Sequence, residues 1–527
     1  MGLTRRRFID RVALAGGYGA AYVTMQQLGL LPMPVAYAGP PDLAPGSGTG
    51  TSVVILGAGL AGMTAAYELG KAGYDCRVLE ASDRAGGRCW TIRRGTRIEE
   101  IEKETQTCSF DDGLYFNAGP ARIPAHHRAI LGYCKAFGVD LEVFVNTNRG
   151  ALFHDDYRFD GKPIESRALY HDFRGYVAEL LAKALDTTAL DDALTPGDKR
   201  RLGVFLRGFG DLDKDAIYRG TSRAGYATPP GAGLQAGEPR APIDLSVLLN
   251  ANFWSWKMHK LDQFDLQATM LQPVGGMDRI AAAFERRVGD RITYGAEVTQ
   301  IRRAGDRTRI VYRDRTSGAE TAAEADYCIC TIPLAVLRDI ESDFSEATTT
   351  AISRSLYVES CKLAWQANRR FWEEDLGIYG GISWTERDIT QIWYPSSGFH
   401  GDKGILIGAY NYSLVAQQFG NRSPTERAEY ARESGRRLHP EFENEVSRPI
   451  SVAWQNMPYA RSAWTKWSGI AREKYYPALT RADGPFYFAG EHVSYLRAWQ
   501  EGAILSAHHS IAALHERVQG SGGCSRI

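Results

Sequence analysis

Eight cysteines in 527 residues are too few for a disulfide-built scaffold. Neither sign of charge is in surplus, because 62 Lys+Arg stand against 62 Asp+Glu. That balance excludes a nucleic-acid binder working through a bulk basic field. HExxH and CxxC are absent and the 11 histidines are scattered, so no metal site is expected. Glycine and proline (55 and 22) stay close to ordinary usage, which excludes collagen-like and low-complexity chains. The Gly/Ala-rich run from Val12 to about Leu31 contains Gln26 and Gln27 and is a poor membrane span. What remains is an ordinary soluble composition, 44% apolar and 24% charged. The length suits roughly three domains.

The N-terminus reads as an address. Thr4-Arg5-Arg6-Arg7-Phe8-Ile9 sets arginines ahead of two apolar residues, and Ala36-Tyr37-Ala38 has the small-x-small form of a cleavage site. This start resembles a twin-arginine export signal over residues 1–38, cleaved after Ala38, with a periplasmic or secreted product and no stable membrane span after cleavage. The alternative is a basic helix that stays attached. Export by this route carries folded proteins, which suits a chain that loads a cofactor first. Residues 39–50 read as a linker.

Chemistry begins directly after the linker. Val53-Val54-Ile55-Leu56 is the continuous apolar run expected of a buried parallel strand. Gly57-Ala58-Gly59-Leu60-Ala61-Gly62 follows, then a helical pattern, then a second strand from Cys76 to Leu79. Glu80 lies 23 residues after the first glycine. Glycines at this spacing let a backbone approach a pyrophosphate at a helix N-terminus, and the acid can accept from an adenosine ribose. Gly57, Gly59, Leu60, Ala61, Gly62, Glu80 and Ala81 are the expected dinucleotide contacts.

From Glu80 to Thr91 the chain reads ExxxRxGGRxxT, through Arg84, Gly86, Gly87 and Arg88. This resembles the fingerprint of the flavin amine oxidase family, whose dinucleotide is FAD. The resemblance returns at Phe486-Tyr487-Phe488-Ala489-Gly490-Glu491 and at Trp499-Gln500-Glu501-Gly502-Ala503, which opens the last helix toward the flavin. Val298, in an alternating stretch, matches the residue that holds adenine through its backbone. The resemblance implies an α/β (α+β) fold. Its FAD-binding domain is Rossmann-like and discontinuous, drawn from residues 51–105, 272–340 and 480–518. A mixed-sheet substrate-binding domain is drawn from 106–165 and 341–479, and a helical domain from 166–271. A homodimer is implied as well. Covalent members bond the flavin through a cysteine near the end of the substrate domain. None lies between Pro449 and Glu491, and Cys524 comes too late, so noncovalent FAD is expected. Cys328 and Cys330, two apart on a strand, share a face and read as small buried side chains.

Phe116-Asn117-Ala118-Gly119-Pro120-Ala121-Arg122-Ile123-Pro124 is similar to the segment that marks L-amino-acid oxidases within the family. The resemblance places the backbone of Gly119, Pro120, Ala121 and Arg122 along the flavin ring. It makes Arg122 a two-pronged ligand of the substrate carboxylate, which guanidinium geometry fits. Tyr394 matches a second carboxylate ligand, although a Tyr before Pro in an aromatic strand also suits a core. Trp499 matches an aromatic wall, and the Ala498 carbonyl would accept from the substrate amine. Lys362 matches the lysine that holds a water against the flavin; within an apolar stretch it is costly unless hydrogen-bonded. Lys362, Arg122, Tyr394 and Trp499 form the expected catalytic set. His126 and His127 are expected on the helix after Pro124, outside the chemistry. Asp262 and Asp265 read as solvated loop acids or as contacts for a cationic side chain. The implied reaction takes an L-amino acid and dioxygen to a 2-oxo acid, ammonia and hydrogen peroxide. A monooxygenase, a plain amine oxidase or dehydrogenase, and a noncatalytic FAD-binding scaffold are the rivals, and no motif names the preferred amino acid.

Overall fold

A strand that is apolar without alternation must be covered on both faces. Ser52–Leu56 meets that demand at the centre of a five-stranded parallel sheet in the computed structural model. Its neighbours are Asp75–Leu79 on one side and Tyr327–Cys330 on the other, with Ile292–Thr293 and Phe486–Phe488 at the edges. One sheet thus gathers strands from far-apart parts of the chain, as the discontinuous Rossmann-like reading expects. The structure describes residues 37, 39–251, 257 and 259–522. The twin-arginine segment and the expected cleavage site lie outside the described residues. Contacts divide the chain after Asp42, and everything below concerns the unit that begins at Leu43.

Cys328 and Cys330 are fully buried among Leu56, Phe486 and Phe488, which accounts for both as core. Where Ser52–Leu56 ends, the chain turns through Gly57 (φ 100°) into the helix Leu60–Lys71. A Cβ on Gly62 would stand 1.9 Å from the Gly57 carbonyl oxygen. Only glycine there lets helix and strand approach so closely.

A second, seven-stranded sheet runs in the order Ile164–Glu165, Leu152–His154, Gly381–Thr385, Gln391–Tyr394, Gly404–Tyr412, Ser360–Ala367, Val446–Ala453. Only the Leu152–His154 and Gly381–Thr385 pair is parallel. Trp90, Ile92 and Ile98 pack against Ala364, Ile450 and Val452 of this sheet. Glu100 makes a two-pronged, wholly buried ion pair with Arg427 at 2.7 and 2.8 Å. The segment from about Trp90 to Glu100 thus packs on the second sheet, while Arg93 pairs with Asp278 at the start of the helix Asp278–Val288. Removing one partner of the Glu100–Arg427 pair leaves a buried charge, at a cost of roughly 3–5 kcal/mol.

The stretch expected to be helical forms Ser166–Leu185, Pro196–Gly210 and Leu245–Asn250. Thr195 and Asp198 make a reciprocal capping box at the second of these. Among the described residues no helix is long and apolar enough to cross a membrane. The histidine pair departs from expectation. The helix after Pro124 begins only at Arg128, with His127 at its N-cap, so both histidines precede it. Its first-turn amides, Ala129 N–H and Ile130 N–H, donate to the Glu501 carboxylate at 2.9 and 2.8 Å.

Strand parity settles one further position. Successive side chains alternate faces. Trp393 joins Phe144, Trp384 and Leu266, whereas Tyr394 joins Phe371, Trp372 and Phe442 on the opposite face. The Tyr394 hydroxyl lies 2.6 Å from both Ser383 Oγ and His439 Nε2. Tyr394→Phe strands those two groups and should cost roughly 1–3 kcal/mol. The check is the urea-unfolding midpoint, which should fall with an unchanged slope. Turnover of the folded protein should stay close to that of the parent.

Candidate active site

The carboxyl ends of the parallel strands and one face of the seven-stranded sheet line a single cavity of about 1390 Å³. Sites for drug-sized ligands run to about 1,000 Å³. This one holds room for a dinucleotide and a small substrate together.

At one end the wall is Gly57, Gly59, Leu60, Ala61, Glu80, Ala81, Gly87, Arg88 and Val298. Gly59 is the N-cap of Leu60–Lys71 and supplies no side-chain cap, and no acid occupies the first turn. Such a helix start presents backbone N–H groups and positive potential to an anion. A Cβ at Gly59 would project into open space, the space a pyrophosphate needs. Glu80 is held at the end of its strand: Ala58 N–H donates to Oε2 at 2.7 Å, and Ser82 N–H and Oγ donate to Oε1 at 2.8 and 2.5 Å. Carboxylate lone pairs remain for a ribose. These residues fit a dinucleotide. Gly62 is absent from the wall and serves the packing described above.

The two ends of the cavity meet at one ion pair. Arg88 Nη1 donates to Glu491 Oε1 at 3.0 Å. Glu491 also accepts from Thr465 N–H at 3.1 Å and Ala498 N–H at 3.2 Å. Nearby, Gln500 Nε2 donates to Cys89 Sγ at 3.2 Å. Burial pushes the Cys89 thiol up to about 12, so it stays protonated. Gln500 and Ala503 line the cavity. Glu501 does not, because its carboxylate caps the helix at Arg128, which corrects its assignment as a cofactor contact.

Gly119, Pro120, Ala121, Arg122, Lys362, Ala498 and Trp499 form the other end. A Cβ on Gly119 would come within 1.9 Å of the Arg88 carbonyl, so glycine lets this segment lie against the Gly-Gly turn. Ala498 takes a left-handed φ of 66°, a conformation that favours glycine. Arg122 Nη1 donates to Asn146 Oδ1 at 2.6 Å, and its guanidinium lies 4.6 Å from the Trp393 ring centre. Asn146 is itself fixed by donation to the Leu266 carbonyl at 2.6 Å. Lys362 belongs to Ser360–Ala367, every residue of which is buried. It donates to the Gly119 carbonyl and, at 3.2 Å, to the Asn117 carbonyl, and lies over Tyr410 at 4.7 Å. Among the described residues no carboxylate pairs with either cation. Burial lowers Arg122 to about 10. Burial, aided by the Arg122 charge, lowers Lys362 to about 7.

Tyr394 lies outside this wall, and its hydroxyl is already committed to Ser383 and His439. It is corrected to a core residue. Its place on the cavity face goes to Trp393, with Trp384, Tyr410 and Tyr412 beside it. The Ile-Trp-Tyr-Pro string carries no signal of which parity faces inward. Asn146 was also missed, and nothing local marks it. Asp265 lies in the wall, and Asp262 is exposed.

The model of the flavin-containing amine oxidoreductase family matches residues 60–513. The flavin-dependent L-tryptophan oxidase of Lentzea aerocolonigenes is 28% identical over 490 residues, covering 88% of this chain and 97% of that protein. An L-amino-acid oxidase of Siganus canaliculatus is 27% identical over 480 residues, covering 88% and 85%. Among solved structures, putrescine oxidase bound to putrescine superposes with a TM-score of 0.58 at 18% identity, covering 89% of this chain and 99% of that one. Cyclohexylamine oxidase from Brevibacterium oxydans gives 0.59 at 15%, with the same coverage. These likenesses bear out the fold, and the uncapped helix start, the Gly-Gly turn and the acid at Glu80 suit the family's cofactor. The chain belongs to the flavin-containing amine oxidoreductase family.

Proposed function

We propose that this enzyme carries out the FAD-dependent oxidative deamination of L-amino acids. The observation that carries the reading is Arg122, a guanidinium facing the cavity with a neutral amide and an aromatic ring as neighbours and, among the described residues, no carboxylate paired with it. A substrate carboxylate supplies the missing charge. Plain amines, which the solved relatives' names specify, carry no such group. Export through the twin-arginine signal and assembly as a homodimer belong to the same proposal and rest on the resemblance alone.

Arg122 binds the carboxylate and thereby fixes the α-carbon, while Trp499 and Trp393 bound the side chain. The substrate gives up its α-hydrogen as hydride and an N–H proton, and the imino acid then hydrolyses to a 2-oxo acid and ammonia. A flavin held along the Gly119–Arg122 backbone and the Gly-Gly turn would supply the two-electron chemistry that links substrate oxidation to the reduction of dioxygen to hydrogen peroxide. Lys362 directs its Nζ protons to the Gly119 and Asn117 carbonyls. Burial of the Arg122 and Lys362 side chains leaves these charges less screened than in water.

Noncovalent attachment has a simple check. The cysteine that lines the cavity, Cys89, is a protonated thiol already hydrogen-bonded. Acid precipitation should release all the yellow colour, and flavin retained in the pellet would contradict this.

Arg122→Met removes two charge-assisted bonds of roughly 1.5–3 kcal/mol each, a loss of about 10²–10⁴ in kcat/KM. Flavin-reduction rates for an L-amino acid and its decarboxylated amine should diverge: severe loss for the first, little for the second. Equal losses would assign Arg122 to structure.

Lys362 carries its charge below about pH 7 and loses it above. The oxygen half-reaction should therefore slow as pH rises through that region. In Lys362→Met it should be slow and independent of pH there, with flavin reduction less affected. Stopped-flow traces in which only reduction suffers would give the lysine another role.

A further inference from the structure

The tertiary structure brings together three potential metal ligands that the sequence keeps apart. His126 Nε2 stands 2.9 Å from Asp265 Oδ1, and His127 Nε2 stands 4.0 Å from the same oxygen. All three ligand atoms lie within 4.8 Å of one another. A tetrahedral zinc ion with bonds of about 2.0–2.1 Å holds its donors about 3.3 Å apart. Small side-chain rotations would therefore close this set around an ion.

A second observation points to a ligand. His127 is 2% exposed at its side chain, yet its Nε2 has no hydrogen-bond partner. A buried ring nitrogen without a partner is costly, and a metal ion would satisfy it. The surroundings suit a site: the Phe264 ring lies 4.2 Å from the His126 ring and the Trp499 ring 5.0 Å from the His127 ring. An apolar shell of this kind limits solvent around a metal.

We infer that His126, His127 and Asp265 form a binding site for a divalent ion of the zinc class, set against Trp499 at the wall of the cavity. Two imidazoles and a carboxylate are the mixed nitrogen and oxygen donors that zinc accepts, and three protein ligands leave one position open. Asp265 is half-exposed and itself lines the cavity, so an ion can arrive from solvent. Because Trp499 packs on His127, occupancy would reshape the wall and slow substrate entry. The inference stands apart from the proposed reaction, since binding is read without turnover.

The test uses tag-free holoenzyme dialysed against zinc chloride, with metal analysis, and cobalt chloride as a spectroscopic probe. One zinc per chain is expected, with cobalt giving the intense visible bands of a tetrahedral site. His126→Ala and Asp265→Asn should each weaken binding by about tenfold or more. His259→Ala, whose ring faces Asp262 on an exposed turn, should bind as the parent does. Both substitutions alter half-exposed side chains, so the fold should survive them. Absence of stoichiometric binding, undiminished affinity in either of the two variants, or loss on His259→Ala would overturn the assignment.

Discussion

Two buried cations share one cavity, and among the described residues no carboxylate pairs with either. Burying a guanidinium or an ammonium unpaired is expensive. Here neutral dipoles and ring faces offset part of that cost. Asn146 and Trp393 serve Arg122, while the Asn117 and Gly119 carbonyls and Tyr410 serve Lys362. None of these cancels the charge. Lys362 is drawn down to about 7 as a result, and Arg122 to about 10. Under the proposed function, such unneutralised cations would meet a substrate carboxylate without reorganisation, as preorganised electrostatic binding requires.

The same constraint explains why both ends of the cavity are built from one set of turns. Gly119 packs on the Arg88 carbonyl, and Arg88 in turn pairs with Glu491. Glu491 also takes the Ala498 amide, directly before Trp499. A cofactor seated at the Gly-Gly turn and a substrate beside Trp499 would thus be positioned by one connected group of backbone contacts. Displacements at one end would be felt at the other. The buried Glu100–Arg427 pair ties the segment after the Gly-Gly turn to the second sheet, so the turn is anchored from both layers.

Much of this was legible in the chain because the signals are local. GxGxxG, the acid at Glu80, the Gly-Gly-Arg run and the Gly-Pro-Ala-Arg segment each place a chemistry within a few residues. Nearly all of those residues line the cavity. The exceptions share a cause. Tyr394, Gly62 and Glu501 sit beside true wall residues, and strand parity or helix phase turned them away. Strand parity depends on which face the neighbouring layers cover, and four residues of aromatic strand do not encode that.

The sequence by itself determined the strand–glycine–helix start, the family and the identity of the two cations, because backbone turns and charged side chains are properties of short segments. Tertiary structure decided what those cations lack. It set Asn146 beside Arg122 from 24 residues away and buried Lys362 in mid-sheet. It also carried Asp265 to His126, 139 residues distant. Desolvation and partner choice are set by the whole packed chain, and they turn a positive residue into a binding site.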